Sequence, residues 1–190
     1  MKVNILHNFF GHLATVTIHR HRVLVHCIKA GIVWRGLVHD LSKFSPTEFI
    51  PGVKYYQGTR SPNEMERENV GYSRAWMHHK GRNRHHFEFW TDYNPKTRRL
   101  EPVPMPDIFV YEMFCDRVAA SKTYNKEKYN DSSSLEYFLR GKSNRLMIAQ
   151  STSDQIEFLL TMLSEKGEDY TFAYIHSKVR ELRKNQKNEH

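Results

Sequence analysis

Apolar residues recur with helical spacing near the start of the chain. Over the range Leu13–Ala30 they are separated by three, four or seven positions, and Gly31 follows as a C-terminal stop. A rotation of 100° per residue places His21 on the face that we predict to be buried, and His19 and His26 on the opposite face. The neighbours of His21 on the predicted buried face are Leu24, Val25 and Ile28. His21 is therefore the predicted inward-pointing histidine of helix one.

A second apolar stripe predicts a helix over Val33–Lys43, with an imidazole and a carboxylate near its end. The residues of this stripe are Trp34, Leu37, Val38 and Leu41. His39 and Asp40 follow as standard ligand types for divalent metals. Lys43 comes three residues after Asp40, on the same helical face, where its point charge would suit a phosphate. The pattern is typical of a site for metal and phosphate.

Two Ser-Pro pairs predict where further helices begin. Ser45–Glu48 and Ser61–Glu64 each combine a serine N-cap, a proline at the first helical position and a glutamate at the third, which together form a capping box. Farther along, the range Tyr93–Pro106 is rich in Pro, Asn and Arg. We interpret it as a long loop.

Pro106 opens a predicted helix that carries two carboxylates one turn apart, Glu112 and Asp116. The apolar residues of this helix are Ile108, Val110, Met113, Phe114, Val118 and Ala119. Asp116 lies within that apolar run, and a carboxylate buried alone would be prohibitively costly. It must therefore coordinate a metal, lie at the helix margin, or pair with Arg117 or Lys122.

The C-terminal third shows helical segments and no chemical motif. Helices are predicted near 135–140 and 154–164, with a last amphipathic one from Tyr170, and Gly141 and Gly167 are the predicted stops. The periodicity of the whole chain thus predicts an all-α bundle in a single domain.

The composition fits a folded protein. Of the 190 residues, 39% are hydrophobic and 13% aromatic, which argues against disorder. Cys27 and Cys115 are the only cysteines in the sequence, so we predict neither a disulfide framework nor a Cys-x-x-Cys metal site. With no continuous apolar leader and no run of about 18 apolar residues, the chain is predicted to be cytoplasmic and not bound to a membrane.

The charge favours anionic partners. A net charge of +8 and a pI near 9.5 would attract an anionic small molecule such as a nucleotide. Nucleic acid is a weaker alternative, because a net positive charge promotes the approach of anions in general and does not specify an activity. The sequence holds no signal of an oligomeric state.

Histidine is concentrated in the first half of the chain, where ten of the twelve histidines lie within 86 residues. Four of them occur in the segment 75–90, together with Lys80, Arg82 and Arg84. One interpretation is a second group of metal ligands whose basic neighbours face an anion; the other is a solvated basic loop with stacked aromatics. Paired histidines flanked by aromatic residues favour the first interpretation, because solvation does not explain them.

The order His, His-Asp, His, His-His, Asp along the chain resembles the HD-domain superfamily of metal-dependent phosphohydrolases. The similarity spans Thr17–Ala120, and His39–Lys43 matches the His-Asp-x-x-Lys form of that superfamily. More narrowly, His-Asp-Leu-Ser-Lys-Phe-Ser-Pro-x-Glu-Phe and Asn-x-His-His-x-Glu-x-Trp are similar to a group of uncharacterised bacterial and phage proteins within it. The resemblance implies an HD-like helical core over residues 1–125 and a helical C-terminal extension, packed on the same domain, over residues 126–190.

The resemblance also implies a ligand set for one or two divalent metal ions. The first ion would be held by His21, His39, Asp40 and Asp116. The second would be held by His79 and by His85 or His86, with Asp40 as the bridge. Mn, Fe, Zn, Ni, Co and Mg all remain open as the metal.

The implied activity is hydrolysis of a phosphoester, such as a nucleotide, by a water molecule that the metal activates. The catalytic residues would be Asp40, Lys43 and Glu112. The substrate-binding residues would be Lys43, Lys80, Arg82, Asn83 and Arg84, with Asn83 or Glu112 orienting the metal ligands. Two alternatives stay open: a dinuclear-iron HD-domain oxygenase, and a non-catalytic nucleotide- or RNA-binding module built on the basic segment.

Overall fold

The fold is all-α, as the hydrophobic pattern predicts. The computed structural model describes residues 5–141 and 147–188, and 74% of these residues are helical. The α-helices of the described ranges are α1 (Ile5–Lys29), α2 (Val33–Val38), α3 (Pro46–Lys54), α4 (Pro62–Val70), α5 (Arg74–Lys80), α6 (Asp107–Asn125), α7 (Ser133–Arg140) and α8 (Gln150–Asn188). Short 3-10 helices cover Leu41–Phe44, Phe87–Phe89 and Lys126–Lys128, and strands β1 (Thr91–Asn94) and β2 (Arg99–Pro102) form a hairpin.

The hydrophobic core lies where α1, α6 and α8 meet. Val23 and Cys27 come from α1, Phe114 and Val118 from α6, and Leu160 from α8, and all five are fully buried. Burial of a Val, Leu or Phe side chain contributes roughly 1.5–3 kcal/mol to folding. This packing fixes α1 against α6, the two helices that carry one half of the candidate site.

The buried face of α1 differs from the predicted one. Its buried residues are His12, Val16, His19, Val23, His26 and Cys27. His21 is exposed, whereas His19 and His26 are 7% and 3% exposed, so the prediction of His21 as the inward histidine was wrong. Val25 and Ile28, which marked the predicted buried face, are 39% and 52% exposed. The error arose because three histidines, counted as polar, lie on the stripe that is in fact buried.

The second helix ends earlier than predicted. It stops at Val38 and does not continue to Lys43, because Asp40 has a left-handed backbone with φ 54° and ψ 26°. An L-residue reaches this conformation at a cost of about 1–2 kcal/mol, and Asp and Asn tolerate it best among residues other than Gly. The break reorients the chain at the His-Asp pair, and a 3-10 turn follows.

The packing of α2 also differs from the prediction. Gly36 is its buried residue, and a Cβ added there would lie 2.7 Å from the Cβ of Cys27 in α1. Trp34, Leu37 and Leu41 of the predicted buried stripe are 71%, 48% and 53% exposed. The helices approach each other through the glycine, and this turns the larger apolar side chains of α2 outward.

Both predicted capping boxes mark helix starts, since α3 begins at Pro46 and α4 at Pro62. The hydroxyl of Ser61 accepts a hydrogen bond from the backbone N–H of Asn63 at 3.4 Å. Glu48, the glutamate of the first box, points instead into the fold, where it contacts two histidines of α5. A glutamate of the kind that usually caps a helix thus connects α3 to α5.

The range Tyr93–Pro106 is not the long loop that its composition predicts. Thr91–Asn94 pairs with Arg99–Pro102 in antiparallel register, and Arg98 has a φ of 57° in the connecting turn. The flanking strands of four residues each are too short, and too exposed, to show an alternating apolar pattern.

The predicted C-terminal stops are confirmed at the backbone level. Gly141 follows α7 as its C-cap residue, and Gly167 interrupts α8 with a φ of 79° and a ψ of 174°. The two predicted helices on either side of Gly167 correspond to the two parts of α8. None of the helices in the described ranges is long and apolar enough to cross a membrane.

His26 connects α1 to α6 and α8 inside the core. Its Nδ1 lies 3.1 Å from the carbonyl oxygen of Cys115, and its ring stacks on that of Phe172 with centroids 5.2 Å apart. Burial lowers the pKa of His26 from 6.5 to about 4. The folded protein therefore keeps this imidazole neutral over a pH range in which the unfolded chain protonates it.

We expect His26→Asn to reduce the loss of stability at acidic pH. The stability linked to the neutral imidazole is complete above pH 6.5 and is lost as the pH falls towards 4, a loss on the order of 3 kcal/mol. Asparagine keeps a donor for the Cys115 carbonyl and does not ionise. Urea unfolding of the metal-free protein at several pH values measures the difference, and equal pH dependence in both proteins would contradict the assignment.

Candidate metal centre

Asp40 lies at the centre of a cluster of histidines and carboxylates. Two sets of potential metal ligands share it, and within each set the ligand atoms lie within 4.8 Å of one another. Group one consists of His19, His39, Asp40 and Asp116. Group two consists of Asp40, His79, His85 and His86. The shared carboxylate joins the two groups into one site.

Group one is assembled by α1, α6 and the break after α2. The Nε2 atom of His19 lies 2.9 Å from Oδ1 of Asp116. The Nε2 atom of His39 lies 3.4 Å from Oδ2 of Asp40 and 3.6 Å from Oδ1 of Asp116. Since α1 and α6 pack together in the core, their contact holds His19 and Asp116 in place beside the His-Asp pair.

Group two is assembled by α5 and the turn that follows it. The Oδ1 atom of Asp40 lies 3.3 Å from Nε2 of His79 and 3.4 Å from Nε2 of His85. The ring centroid of His86 lies 4.1 Å from that of His85 and 4.8 Å from that of His79. Gly81 ends α5, as predicted, and the turn after it returns the second histidine pair to the cluster.

Four buried atoms of the cluster have no hydrogen-bond partner among the described residues. They are Nε2 of His39, Oδ1 of Asp40, Nε2 of His85 and Nε2 of His86. An unsatisfied buried polar atom costs about 1–3 kcal/mol. Imidazole nitrogens and carboxylate oxygens are ligands for divalent metals, and ions bound at group one and group two would satisfy these four atoms between them. The donor set therefore fits the metal ions that the sequence predicts.

Glu112 orients the ligands from behind. Its fully buried carboxylate accepts hydrogen bonds from Nε of Arg35 at 2.6 Å and from Nδ1 of His39 at 3.0 Å, and it lies 3.3 Å from Nδ1 of His85. Burial alone would raise the pKa of Glu112, but the hydrogen bonds from the two imidazoles lower it to about 2. With each Nδ1 held in this way, both Nε2 atoms face the cluster.

A second carboxylate, Glu48, orients His79. Its Oε2 lies 2.8 Å from Nδ1 of His79, and its Oε1 lies 2.6 Å from Nδ1 of His78. The Asn83 amide donates to the hydroxyl of Ser42 and to the backbone oxygen of His79, both at 2.8 Å. Asn83 therefore lies behind His79, one of the candidate ligands.

Charge is balanced closely around Asp40. The Nζ atom of Lys43 lies 2.7 Å from Oδ2 of Asp40, so the predicted proximity of these residues is confirmed. Burial alone would raise the pKa of Asp40, but His39 and Lys43 hold it well below its ordinary value. Burial lowers the pKa of His86, which keeps its imidazole in the neutral form that binds metals.

A cavity of about 550 Å³ opens beside the cluster. His19, Lys43, His79, His86 and Asp116 line one part of its wall, so both groups are accessible from it. Residues 58–64 and residues of α7 also line the cavity. The volume lies within the range of about 300–1,000 Å³ that is typical of small-molecule sites.

The basic residues after α5 do not line this cavity. Arg82 and Arg84 are exposed, and the guanidinium of Arg84 lies 5.8 Å from the ring centroid of Phe89. Neither Lys80 nor Asn83 is among the lining residues. The turn after α5 directs its histidines inward and its arginines outward, so the structure does not bring this predicted anion-binding group to the cluster.

The sequence contained a signal for His19 that the apolar periodicity did not reveal. His12, His19 and His26 are seven residues apart, a spacing that places all three on one face of a helix. His21 breaks this spacing and is exposed. Glu48 and Ser42 had no such signal, since their proximity to His79 depends on how α3 packs against α5.

The comparisons with known proteins place the site within a family. A family of unknown function (DUF5662) has a model that matches residues 8–162, which include every residue of both groups. The chain belongs to this family. Neither the comparison with curated proteins nor that with solved structures found a match.

We expect His19→Ala to lower the number of metal ions bound per chain, because it removes a ligand of group one. His21→Ala, two residues away on the exposed side of α1, is the matched control and should leave metal binding unchanged. Metal content after dialysis, measured by mass spectrometry, compares the two variants with the parent protein. Loss of metal in His21→Ala, but not in His19→Ala, would reverse the assignment made from the structure.

We expect Glu112→Gln to weaken metal binding by about 10- to 100-fold, the usual effect of removing an orienting carboxylate. The two imidazoles face Oε1 of Glu112 and Arg35 faces Oε2, but glutamine has an acceptor oxygen at only one of these positions. Either both histidines or the arginine that fixes the side chain therefore lose their acceptor. Competition with a chelator measures the affinity. Glu136→Gln, on the exposed side of α7, controls for the loss of a negative charge. Equal affinities in the two variants would show that Glu112 does not support the ligands.

Proposed function

We propose that this chain is an HD-type metal-dependent phosphohydrolase that acts on a phosphoester of an anionic small molecule, such as a nucleotide. The observation that supports this most strongly is the pair of ligand groups joined by Asp40, with four buried ligand atoms that no described residue satisfies. Such a cluster is costly to bury without an ion. Its order along the chain resembles that of the superfamily, with His19 in place of the predicted His21.

Group one would hold one divalent ion and group two a second, with Asp40 as the common ligand. Bound ions would supply a water molecule of lowered pKa and would polarise the phosphoryl group. Glu112 and Glu48 keep the imidazoles in the tautomer that presents Nε2 to the ions.

Lys43 would act on the phosphate. Its ammonium contacts Asp40 at the wall of the cavity, so a phosphate that enters would lie next to a fixed positive charge. Burial alone would lower the pKa of Lys43, but the Asp40 carboxylate raises it above the ordinary value, so the side chain stays charged. A positive charge held in place before the reaction stabilises negative charge that develops on phosphoryl oxygens.

The cavity supports a substrate with an organic part as well as a phosphate. Tyr56, Trp76 and Tyr124 line it together with the hydroxyl of Thr15. Aromatic walls suit a base or another flat group, and the hydroxyls suit a sugar. A nucleotide combines these features with the negative charge that Lys43 would bind.

A dinuclear-iron oxygenase would use similar ligands, and the donor set alone permits it. The position of Lys43 against Asp40, on the cavity wall, favours phosphate chemistry. The metal that co-purifies with the protein distinguishes the two activities: iron with an absorption band in the visible range favours the oxygenase. A binding module without turnover has no need of the buried ligand cluster.

We expect Asp40→Asn to abolish hydrolysis and to lower metal content, while the fold is retained. Asparagine tolerates the left-handed backbone of this position and matches the carboxylate in size, but it lacks the charge that two ions would share. Hydrolysis of p-nitrophenyl phosphate in the presence of Mn²⁺, metal analysis and circular dichroism are the three measurements. Asp154→Asn, exposed on α8, is the control. Full activity and full metal content in Asp40→Asn would exclude the proposed function.

A further inference from the structure

The cavity beside the candidate metal centre contains one cation whose charge no other described residue neutralises. The cationic side chains that line it are Lys43, Arg60, Arg117 and Arg140. Lys43 is paired with Asp40 at 2.7 Å, and Arg60 makes two hydrogen bonds to Glu68 at 2.6 and 2.7 Å. Arg140 is exposed, so water hydrates its charge. Arg117 has no such carboxylate partner among the described residues and is only partly exposed.

The close contacts of Arg117 are with Met113 and Phe138. Its Nη2 lies 3.9 Å from the Sδ of Met113, and its guanidinium lies 5.4 Å from the ring centroid of Phe138. The Nε atom is buried and has no hydrogen-bond partner, and none of the ion pairs between described residues includes Arg117. Glu88 lines the same cavity and its charge attracts that of Arg117, but its Oε2 is also without a hydrogen-bond partner and the two residues form no ion pair.

An unpaired guanidinium in such surroundings is unfavourable for folding. Arg117 is partly buried, so its guanidinium loses part of its hydration, and apolar residues of similar volume are often as stabilising or more so at such positions. Contacts with Met113 and Phe138 would suit a methionine as well as an arginine. An anion that enters the cavity would give the charge of Arg117 a direct partner.

The position of Arg117 determines which anion it meets. It follows Asp116, a member of group one, on α6, and both side chains line the cavity. Since both side chains line one cavity, an anion bound by Arg117 would lie in the cavity onto which the candidate metal centre opens, and the phosphate of the substrate would also lie there.

We propose that Arg117 is a substrate-binding residue that holds a phosphate oxygen, and that the substrates are phosphomonoesters. The second part rests on the proposed function. The phosphate of a monoester has three unesterified oxygens and carries up to two negative charges near neutral pH, whereas that of a diester has two such oxygens and one charge. The additional charge needs an additional cation, and Arg117 offers a planar fork of donors that fits phosphate oxygens.

The test compares stability with phosphate binding. We expect Arg117→Met to unfold at the same temperature as the parent protein or higher, because it replaces a partly buried, unpaired charge with an apolar side chain of similar length. The same variant, loaded with Mn²⁺, should bind inorganic phosphate more weakly by on the order of 10- to 100-fold in isothermal titration calorimetry, the loss of one or two hydrogen bonds to a charged group. Arg117→Lys should recover part of the affinity.

Arg180→Met is the matched control, because it removes the same charge from an exposed position on α8. It should leave phosphate affinity unchanged. A fall of several degrees in the unfolding temperature of Arg117→Met would show a structural role and overturn the proposal. Equal phosphate affinity in Arg117→Met and the parent protein, or no phosphate binding by the parent protein at millimolar concentration, would also overturn it.

A separate measurement tests whether the substrates are phosphomonoesters. We expect Arg117→Met to reduce hydrolysis of p-nitrophenyl phosphate at least about tenfold more than hydrolysis of bis(p-nitrophenyl) phosphate, mainly through KM. Equal reductions would contradict the monoester assignment. If neither compound is hydrolysed by the metal-loaded parent protein, the proposed function fails. The role of Arg117 in binding phosphate is then still decided by the calorimetric comparison.

Discussion

The rest of the site depends on the interactions that stabilise the buried carboxylate of Asp40. A carboxylate that is 1% exposed is stable as an anion only where positive charge, donors or metal ions surround it. Lys43 supplies a positive charge at 2.7 Å, and the imidazoles of His39, His79 and His85 lie within 3.4 Å of its oxygens. The left-handed backbone of Asp40 ends the second helix. It allows His39, which precedes Asp40, and Lys43, which follows it, to contact the same carboxylate.

Two further carboxylates give this arrangement its rigidity. Glu112 contacts His39 and His85, and Glu48 contacts His78 and His79. Each carboxylate therefore fixes the orientation of two imidazoles that lie outside its own helix. Histidines on flexible segments would otherwise rotate about two bonds and lose their common orientation. The carboxylates link α6 to the turn after α5, and α3 to α5 itself. The candidate metal centre is therefore also a set of tertiary cross-links.

Stability and the proposed activity make opposite demands on the wall of the cavity. The core between α1, α6 and α8 follows ordinary apolar packing, but α6 changes character at Asp116 and Arg117, where two charged residues face the cavity. Asp116 is compensated by His19, whereas Arg117 contacts Met113 and Phe138 and forms no ion pair with another described residue. A site that binds an anion needs a cation that the protein itself does not pair. The absence of an ion pair at Arg117 is the arrangement that the proposed activity requires.

The all-α fold, the starts of α3 and α4 and the stops at Gly141 and Gly167 could be read from the sequence, because they depend on local periodicity, capping and backbone preference. The tertiary structure decided which histidines face inward, since α1 buries the stripe that packs against α6, and that stripe contains His19 and not His21. The pairing of Glu48 with His79, and the isolation of Arg117, depend on contacts between residues that lie far apart in sequence or in different helices. The residue types of a metal site are visible in sequence, but the selection among twelve histidines is made by helix packing.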